Sequence, residues 1–350
     1  MTDFAARGGW PVILGTLMEG GDLDADTARV TMAEILDGAA SPAQIAAFIV
    51  ALRMKGETVT ELGGMVDAML DASTRVEIDT SGPVIDVVGT GGDRAHTINV
   101  STISAIVVAG AGGRVCKHGN RAASSACGAA DLLEALGVAI ELGPEGVAAC
   151  VAEAGIGFCF APRYHPAMRH AGPSRRDLGV PTAFNILGPL SNPGRVKRYL
   201  IGVADLRMAE RMAGVLGTKG AERALIVHGG DGLDELTTTG PSAVVELHDG
   251  EVSSWEVDPE SLGLRRVDRE DLVGGDATVN ADLARRVLAG EPGAHRDIVS
   301  LNAGAGLVVA GLAEDLSAGM EAARQAIDSG AAVGALAALV EVSQREAAEE

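Results

Sequence analysis

The stretch Val84 to Gly110, VIDVVGTGGDRAHTINVSTISAIVVAG, decides the fold. Its first five residues, Val84-Ile85-Asp86-Val87-Val88, form a short β-branched run that reads as a strand. Gly89-Thr90-Gly91-Gly92-Asp93 follows, and a helix begins near Asn99 to Ser101. Glycines let backbone N–H groups point into a cavity, and a helix N-terminus adds unpaired donors and partial positive charge. The segment is therefore either an anion cradle or an ordinary strand-to-helix turn. Its spacing matches neither GxGxxG nor GxxxxGK[ST], so neither of those nucleotide-binding families is supported.

Outward from this segment, strand-like runs recur around Val115-Cys116, Gly157 to Phe160, Tyr199 to Val203 and Ala224 to Val227. Helical segments lie between them, near Ser101 to Ala109, Ala129 to Leu136, Glu145 to Ala154 and Leu206 to Leu216. Alternation of this kind predicts an α/β fold with a mostly parallel central sheet flanked by helices. Asp249-Gly250 predicts a hairpin turn, and the tail from Leu283 is helical with no catalytic motif. Before Val84 the pattern is helical only. Ser41-Pro42 and Thr58 read as helix starts, followed by Ile45, Phe48, Ile49, Leu52 and by Leu62, Met65, Val66, Met69 at i, i+3, i+4, i+7. Such faces pack on their own domain or on a second subunit; a homodimer contact is expected here, with Phe48 and Met65 at the interface. The expected division is a small helical domain over 1–78, joined by a helical contribution from 166–190, and an α/β domain over 79–350.

The 350 residues carry a formal charge of −20, which argues against nucleic acid or an anionic membrane as partner. An anionic substrate must then be held by local cations, backbone donors or metal. Cys116, Cys127, Cys150 and Cys159 form no CxxC pair, which reads as reduced thiols. No apolar run reaches the roughly 18 residues of a membrane span, so a soluble cytoplasmic protein is expected.

Three further segments carry chemistry. VCKHGNRAASSACGAADLLEALG, Val115 to Gly137, places the potential cations Lys117, His118 and Arg121 close together, with Asn120, Ser124 and Ser125 as neutral donors; a solvated basic loop is the plainer reading. RYHPAMRHAGPSRRDLGVPTAFNILGPLSNP, Arg163 to Pro193, holds His165, His170, Arg175 and Arg176, and an arginine fork suits a planar carboxylate, although ordinary surface ion pairs would look the same. HGGDGLDELTTTG, His228 to Gly240, frames Asp234 and Glu235 with glycines. That pair suits Mg²⁺, a hard cation that shares substrate phosphates, or is simply solvated.

Taken in order, GTGGD, TxNxST, KHGNR followed by SS, HPAM, RRDLG, FNILGPLSNP and DGLDE make this chain resemble the anthranilate phosphoribosyltransferases over nearly its whole length. The resemblance implies a nucleoside phosphorylase/phosphoribosyltransferase-like fold and a homodimer through the helical parts. It implies transfer of the phosphoribosyl group of 5-phosphoribosyl 1-pyrophosphate (PRPP) to the amine of anthranilate, in tryptophan biosynthesis. By it, PRPP is held by Gly89, Gly92, Asp93, Thr97, Asn99, Val100, Ser101, Thr102, Lys117, His118, Gly119, Asn120, Arg121, Ala122, Ala123, Ser124, Ser125 and Ala129. Ser101, Asp234 and Glu235 would ligate two Mg²⁺ ions. Gly89, Asn120, Ala161, Pro162, His165, Met168 and Arg175 would line the anthranilate path, with no residue assigned as acid or base. Cys127 and Ala129 stand where the family often has serine. Rival readings are a pyrimidine-nucleoside phosphorylase, which would not need the Asp234-Glu235 pair, and a non-catalytic nucleic-acid-binding relative, which the charge disfavours.

Overall fold

The computed structural model describes residues 4–79, 81–93, 95–122 and 126–350. Four helices come first, α1 (Gly9–Met18), α2 (Ala25–Leu36), α3 (Pro42–Lys55) and α4 (Val59–Asp71). Capping boxes open two of them: Ser41 with Gln44 starts α3, and Thr58 with Glu61 starts α4, each satisfying donors at both ends of the turn. Phe48, Ile49, Leu52, Leu62, Met65 and Val66 are fully buried within the chain itself. This corrects the expectation that Phe48 and Met65 sit at a subunit contact: the periodic face of each helix is consumed by the bundle's own core. The apolar side chains that remain exposed on α1 and α3 are Val12 (54%), Met18 (80%), Val50 (37%) and Met54 (84%).

Strand and helix then alternate through β1 (Ile85–Gly89), α5 (Val100–Gly110), β2 (Val115–Gly119), α6 (Ala129–Ala135), α7 (Pro144–Ala154) and β3 (Ile156–Phe160). Three short helices, α8 (Ala161–Tyr164), α9 (Gly172–Leu178) and α10 (Phe184–Leu187), return the chain to the N-terminal bundle, where Ser174 Oγ donates to the Pro42 carbonyl at 3.3 Å. The chain comes back through β4 (Arg198–Gly202), α11 (Ala209–Thr218), β5 (Arg223–Gly229), β6 (Ser242–His248) and β7 (Glu251–Val257). Asp249 and Gly250 make the last hairpin, both at positive φ as its tight turn demands. Helices α12 (Ala277–Leu288), α13 (Ala294–Ala310), α14 (Leu316–Asp328) and α15 (Ala331–Glu349) complete the fold. Among the described residues no single helix is long and apolar enough to cross a membrane.

The seven strands lie in the order β3-β2-β1-β4-β5-β6-β7, the first five parallel and the last two antiparallel. From β1 the chain moves outward to β2 and β3, then returns to the other flank of β1 as β4. Connections leaving β1 and β4 therefore part to opposite sides, and the crevice at the carboxyl ends of those strands is where open α/β sheets bind ligands.

The tightest crossing in the helical bundle is between α2 and α4, where a β-carbon on Gly64 would lie 2.1 Å from the Ala25 carbonyl oxygen. Gly64→Ala must push the two helices apart. We expect it to cost about 1–3 kcal/mol, the usual range for overpacking. Denaturant unfolding with the slope held fixed would measure this, and an unchanged midpoint would show that the crossing yields without strain.

Candidate active site at the switch point

Gly89 and Gly202 close β1 and β4 side by side in register. Both leave room for one residue from the loop after β5: a β-carbon on Gly202 would sit 1.6 Å from the Asp234 carbonyl oxygen, and one on Gly89 would sit 2.4 Å from Asp234 Oδ2. The loop is pinned from behind by Asn302 on α13. Its Oδ1 accepts from Leu236 N at 3.0 Å and its Nδ2 donates to Leu236 O at 2.8 Å, a two-point grip on the backbone of the residue beside Glu235.

Asp234 and Glu235 thus reach the cradle that the glycine segment forms. Gly91 N donates to Asp234 Oδ2 at 2.7 Å, and Ser101 N, in the first turn of α5, donates to Glu235 Oε1 at 3.0 Å. Two donors expected to face a phosphate are here engaged by carboxylates. Burial, joined by the neighbouring Asp93, pushes the Asp234 pKa up to about 8, and burial beside Asp234 raises Glu235 well above the usual carboxylate range. No Lys or Arg among the described residues forms an ion pair with either carboxylate. Lys117 lies beneath, fully buried, donating to the Val87 carbonyl and interacting with Asp86, Glu235 and Asp234; burial nonetheless lowers its pKa.

Two desolvated, mutually repelling carboxylates fit a divalent cation. Among the described residues no group of three or more His, Cys, Asp or Glu side chains surrounds a common point. An ion here must take its other ligands from substrate oxygens or water, the habit of Mg²⁺ rather than of zinc.

The expected basic cluster is not one in space. Lys117 and His118 are neighbours on β2, so they project to opposite faces of the sheet. His118 is buried, and burial drives its pKa down to about 3; its Nδ1 lies 3.1 Å from the Gly188 carbonyl and its ring is 5.0 Å from that of His165. His165, lowered to about 4 by the same cause, has Nε2 at 2.9 Å from the Ser191 carbonyl. Both rings are neutral at pH 7. Arg121 is turned to α6, paired with Asp131 at 2.9 Å and Glu134 at 2.8 Å and lying over the Phe160 ring. Ala122 N also bonds to Asp131.

The remaining expected residues divide between the two sides of the crevice. Asp93 lies against Asp234, Asn99 bonds to the Cys127 carbonyl, and Thr97 pairs with Val273. Gly92 takes positive φ in the cradle; Val100 and Thr102 begin α5, and Gly119, Asn120 and Ala129 surround the end of β2. Ala123, Ser124 and Ser125 lie outside the described residues. On the other side, Ala161 and Pro162 open α8 and Met168 lies in the turn after His165. Arg175 on α9 stacks over Phe184 at 5.7 Å and has no carboxylate partner among the described residues.

A glycosyl transferase family helical bundle domain matches residues 11–73, and a glycosyl transferase family a/b domain matches residues 81–333. An anthranilate phosphoribosyltransferase of Salinispora arenicola is 53% identical over 341 residues, covering 95% of this chain and 96% of its own. The chain belongs to the anthranilate phosphoribosyltransferases. The crystal structure of the Thermus thermophilus enzyme superimposes with a TM-score of 0.90 at 42% identity, covering 95% of this chain and 99% of that one. The Saccharomyces cerevisiae enzyme, in complex with PRPP and Mg, gives 0.86 at 26% identity over 96% of this chain and 98% of its own.

Within this anthranilate phosphoribosyltransferase fold, sequence reasoning missed Gly202, Asn302 and the buried pair Asp86–Asn192. Asn192 Nδ2 donates to Asp86 Oδ2 at 2.7 Å, and burial lifts the Asp86 pKa to about 6. The signals were present: a carboxylate inside an apolar strand, and a lone amide in an apolar helix.

Asp234 generates a pH prediction for the metal-free protein. Its carboxyl titrates at the ordinary 3.8 when unfolded and at about 8 when folded, so between those values the folded state holds the extra proton. Stability then falls as pH rises. In chelator, the unfolding midpoint should decline from about pH 5 to about pH 8, and Asp234→Asn should flatten that decline. Equal slopes for parent and variant would remove Asp234 as the cause.

Proposed function

We propose that this chain transfers the phosphoribosyl group of PRPP to the amine of anthranilate, giving N-(5-phosphoribosyl)anthranilate and pyrophosphate in tryptophan biosynthesis. The observation that carries the reading is the buried Asp234-Glu235 pair held at the switch point against the glycine cradle. In the reaction the C1′–O bond breaks with its electron pair leaving on pyrophosphate, the C1′–N bond forms, and the amine loses a proton. Charge builds on the leaving group and on the ribosyl ring, so the protein's task is neutralisation and placement. No side chain is assigned as proton acceptor.

Asp234 and Glu235, with the Ser101 hydroxyl, would hold two Mg²⁺ ions, which when bound supply charge neutralisation on pyrophosphate. Gly92, Asp93, Thr97, Asn99, Val100, Thr102, Lys117, Asn120 and the segment to Ala129 would surround PRPP. Neutral His165, with Ala161, Pro162, Met168 and Asn120, suits the uncharged face of an aromatic ring. Arg175 supplies the cation for its carboxylate: burial lowers its pKa, yet a guanidinium stays charged, and no acid among the described residues pairs with its fork. A cytoplasmic setting fits the reading of Cys116, Cys127, Cys150 and Cys159, all buried, as reduced thiols.

Loss of anthranilate fluorescence on mixing with PRPP and Mg²⁺ tests the activity directly; no consumption under any divalent metal would overturn it. Arg175→Ala should raise KM for anthranilate by about 10- to 150-fold, the worth of a charge-assisted hydrogen bond. KM for PRPP should barely move. If the PRPP value rose instead, the carboxylate is bound elsewhere.

A homodimer through the exposed apolar residues of α1 and α3 completes the proposal. Val50 and Met54 are one helical turn apart and so share a face, and Val12 and Met18 are exposed on α1, which packs against α3. Met54→Glu should yield monomers in sedimentation velocity with an unchanged unfolding slope, whereas Phe48→Glu should fail to fold. Undiminished association of Met54→Glu would move the interface elsewhere.

A further inference from the structure

Asn280, the fourth residue of α12, stands outside every motif of the sequence and is 1% exposed. Its Oδ1 accepts from Gly275 N at 2.7 Å, and its Nδ2 donates to Asn99 Oδ1 at 2.9 Å, a bond between residues 181 positions apart. Asn99 in turn donates from Nδ2 to the Cys127 carbonyl at 3.0 Å. Asn99 ends the segment that starts with the glycine cradle, and Cys127 ends the segment that starts with Lys117 and Asn120. The three bonds therefore run as one directed chain through both connections that face the substrate.

Direction matters because an amide has one donor end and one acceptor end. With the Asn280 NH₂ on its oxygen, Asn99 can present only its own NH₂ to Cys127. The backbone around Asn280 is held as closely. Ile98 N donates to Leu272 O at 3.1 Å, Gly274 N donates to His96 O at 2.9 Å, and Thr97 bridges Val273. A β-carbon on Gly274 would lie 2.4 Å from Asn280 Oδ1, so the turn closes directly onto the amide and leaves it one orientation.

We infer that Asn280 is a positioning residue for PRPP, fixing the orientation of Asn99 and through it the spacing of the two substrate-facing segments. It touches neither substrate nor reacting atoms. The inference rests on the phosphoribosyl-transfer reading for its ligand, but the relay itself is a property of the fold. Anthranilate is assigned chiefly to the α8–α9 side, and of the relay's two segments it would meet only the far ends, at Gly89 and Asn120.

Asn280→Asp keeps the acceptor for Gly275 and places an oxygen against Asn99 Oδ1, while Asn280→Ala removes both bonds. Each should raise KM for PRPP about five- to tenfold, the range for losing a buried hydrogen bond, with KM for anthranilate within about twofold of the parent. The double variant Asn99→Ala, Asn280→Ala should fall short of the product of the two single effects, because much of the second change acts through the first. Hydrogen exchange reads the relay without turnover: protection should fall at residues 96–100 and 126–129 in Asn280→Asp and stay unchanged in helices α1 to α4. Unchanged KM for PRPP, additive effects in the double variant, or unchanged exchange at 126–129 would each overturn the inference. A parent chain that binds and consumes no PRPP would overturn the functional reading instead, and the exchange experiment would still decide the relay.

Discussion

The approach of the Asp234 peptide to two strand-end glycines is the constraint from which the site follows. Gly89 and Gly202 are paired across β1 and β4, and any side chain on either would occupy space that Asp234 fills. Only with both positions bare can the loop after β5 fold down over the switch point. Once there it is locked: Asp231 accepts from the hydroxyls of Thr237 at 3.0 Å and Thr239 at 2.8 Å, Thr237 N donates to Ser242 Oγ, and Asn302 grips Leu236. Such a loop has no freedom to swing its carboxylates into water. Burial beside one another raises the proton affinity of both.

Confinement also explains how a chain of charge −20 can recruit an anion. The distributed negative charge repels a pyrophosphate at long range but is screened beyond about 8 Å at physiological salt. At the site the balance is local. Backbone N–H groups of the cradle, the first turn of α5 and buried Lys117 face two carboxylates that want a counter-ion more than they want water. An anion carrying divalent metal satisfies both sets at once, whereas a bare anion would meet Asp93, Asp234 and Glu235 unshielded. Lys117 is held from below by the Val87 carbonyl, and the buried Asp86 helps keep it protonated.

Local chemistry made much of this legible in sequence, and tertiary chemistry hid the rest. Ser41-Pro42, Thr58 and Asp249-Gly250 act on backbone a few positions away, so the helix starts and the hairpin could be read directly. The strand runs and the glycine cradle were legible for the same reason. Phe48 and Met65 were misplaced because a periodic apolar face records that a helix is covered without recording by what. Arg121 stands close to Lys117 in sequence, but the acids of α6, which pair with it, lie ten and more positions on and could not be read as its partners. Asn280 and Asn302 were invisible as functional residues, since each acts on a partner 66 or more positions away.

The C-terminal helices consequently do more than cover the sheet. Helix α13 is anchored at its far end by arginines from the opposite edge of the strands: Arg198 donates to the Val309 carbonyl at 3.0 Å and Arg223 to the Val308 carbonyl at 2.9 Å. Arg198 thereby satisfies a last-turn carbonyl, Arg223 adds a second donor to one that already accepts from Gly311 N at 3.1 Å, and both place positive charge at the helix's negative end. Seven residues earlier, about 10 Å along the axis, the same helix presents Asn302 to the carboxylate loop. A rigid rod fixed at the start of β4 and β5 thereby sets the height of a loop at their finish. The position of Asp234 is then referenced to both ends of the sheet, which fixes two adjacent buried carboxyl groups against each other and against the glycine cradle.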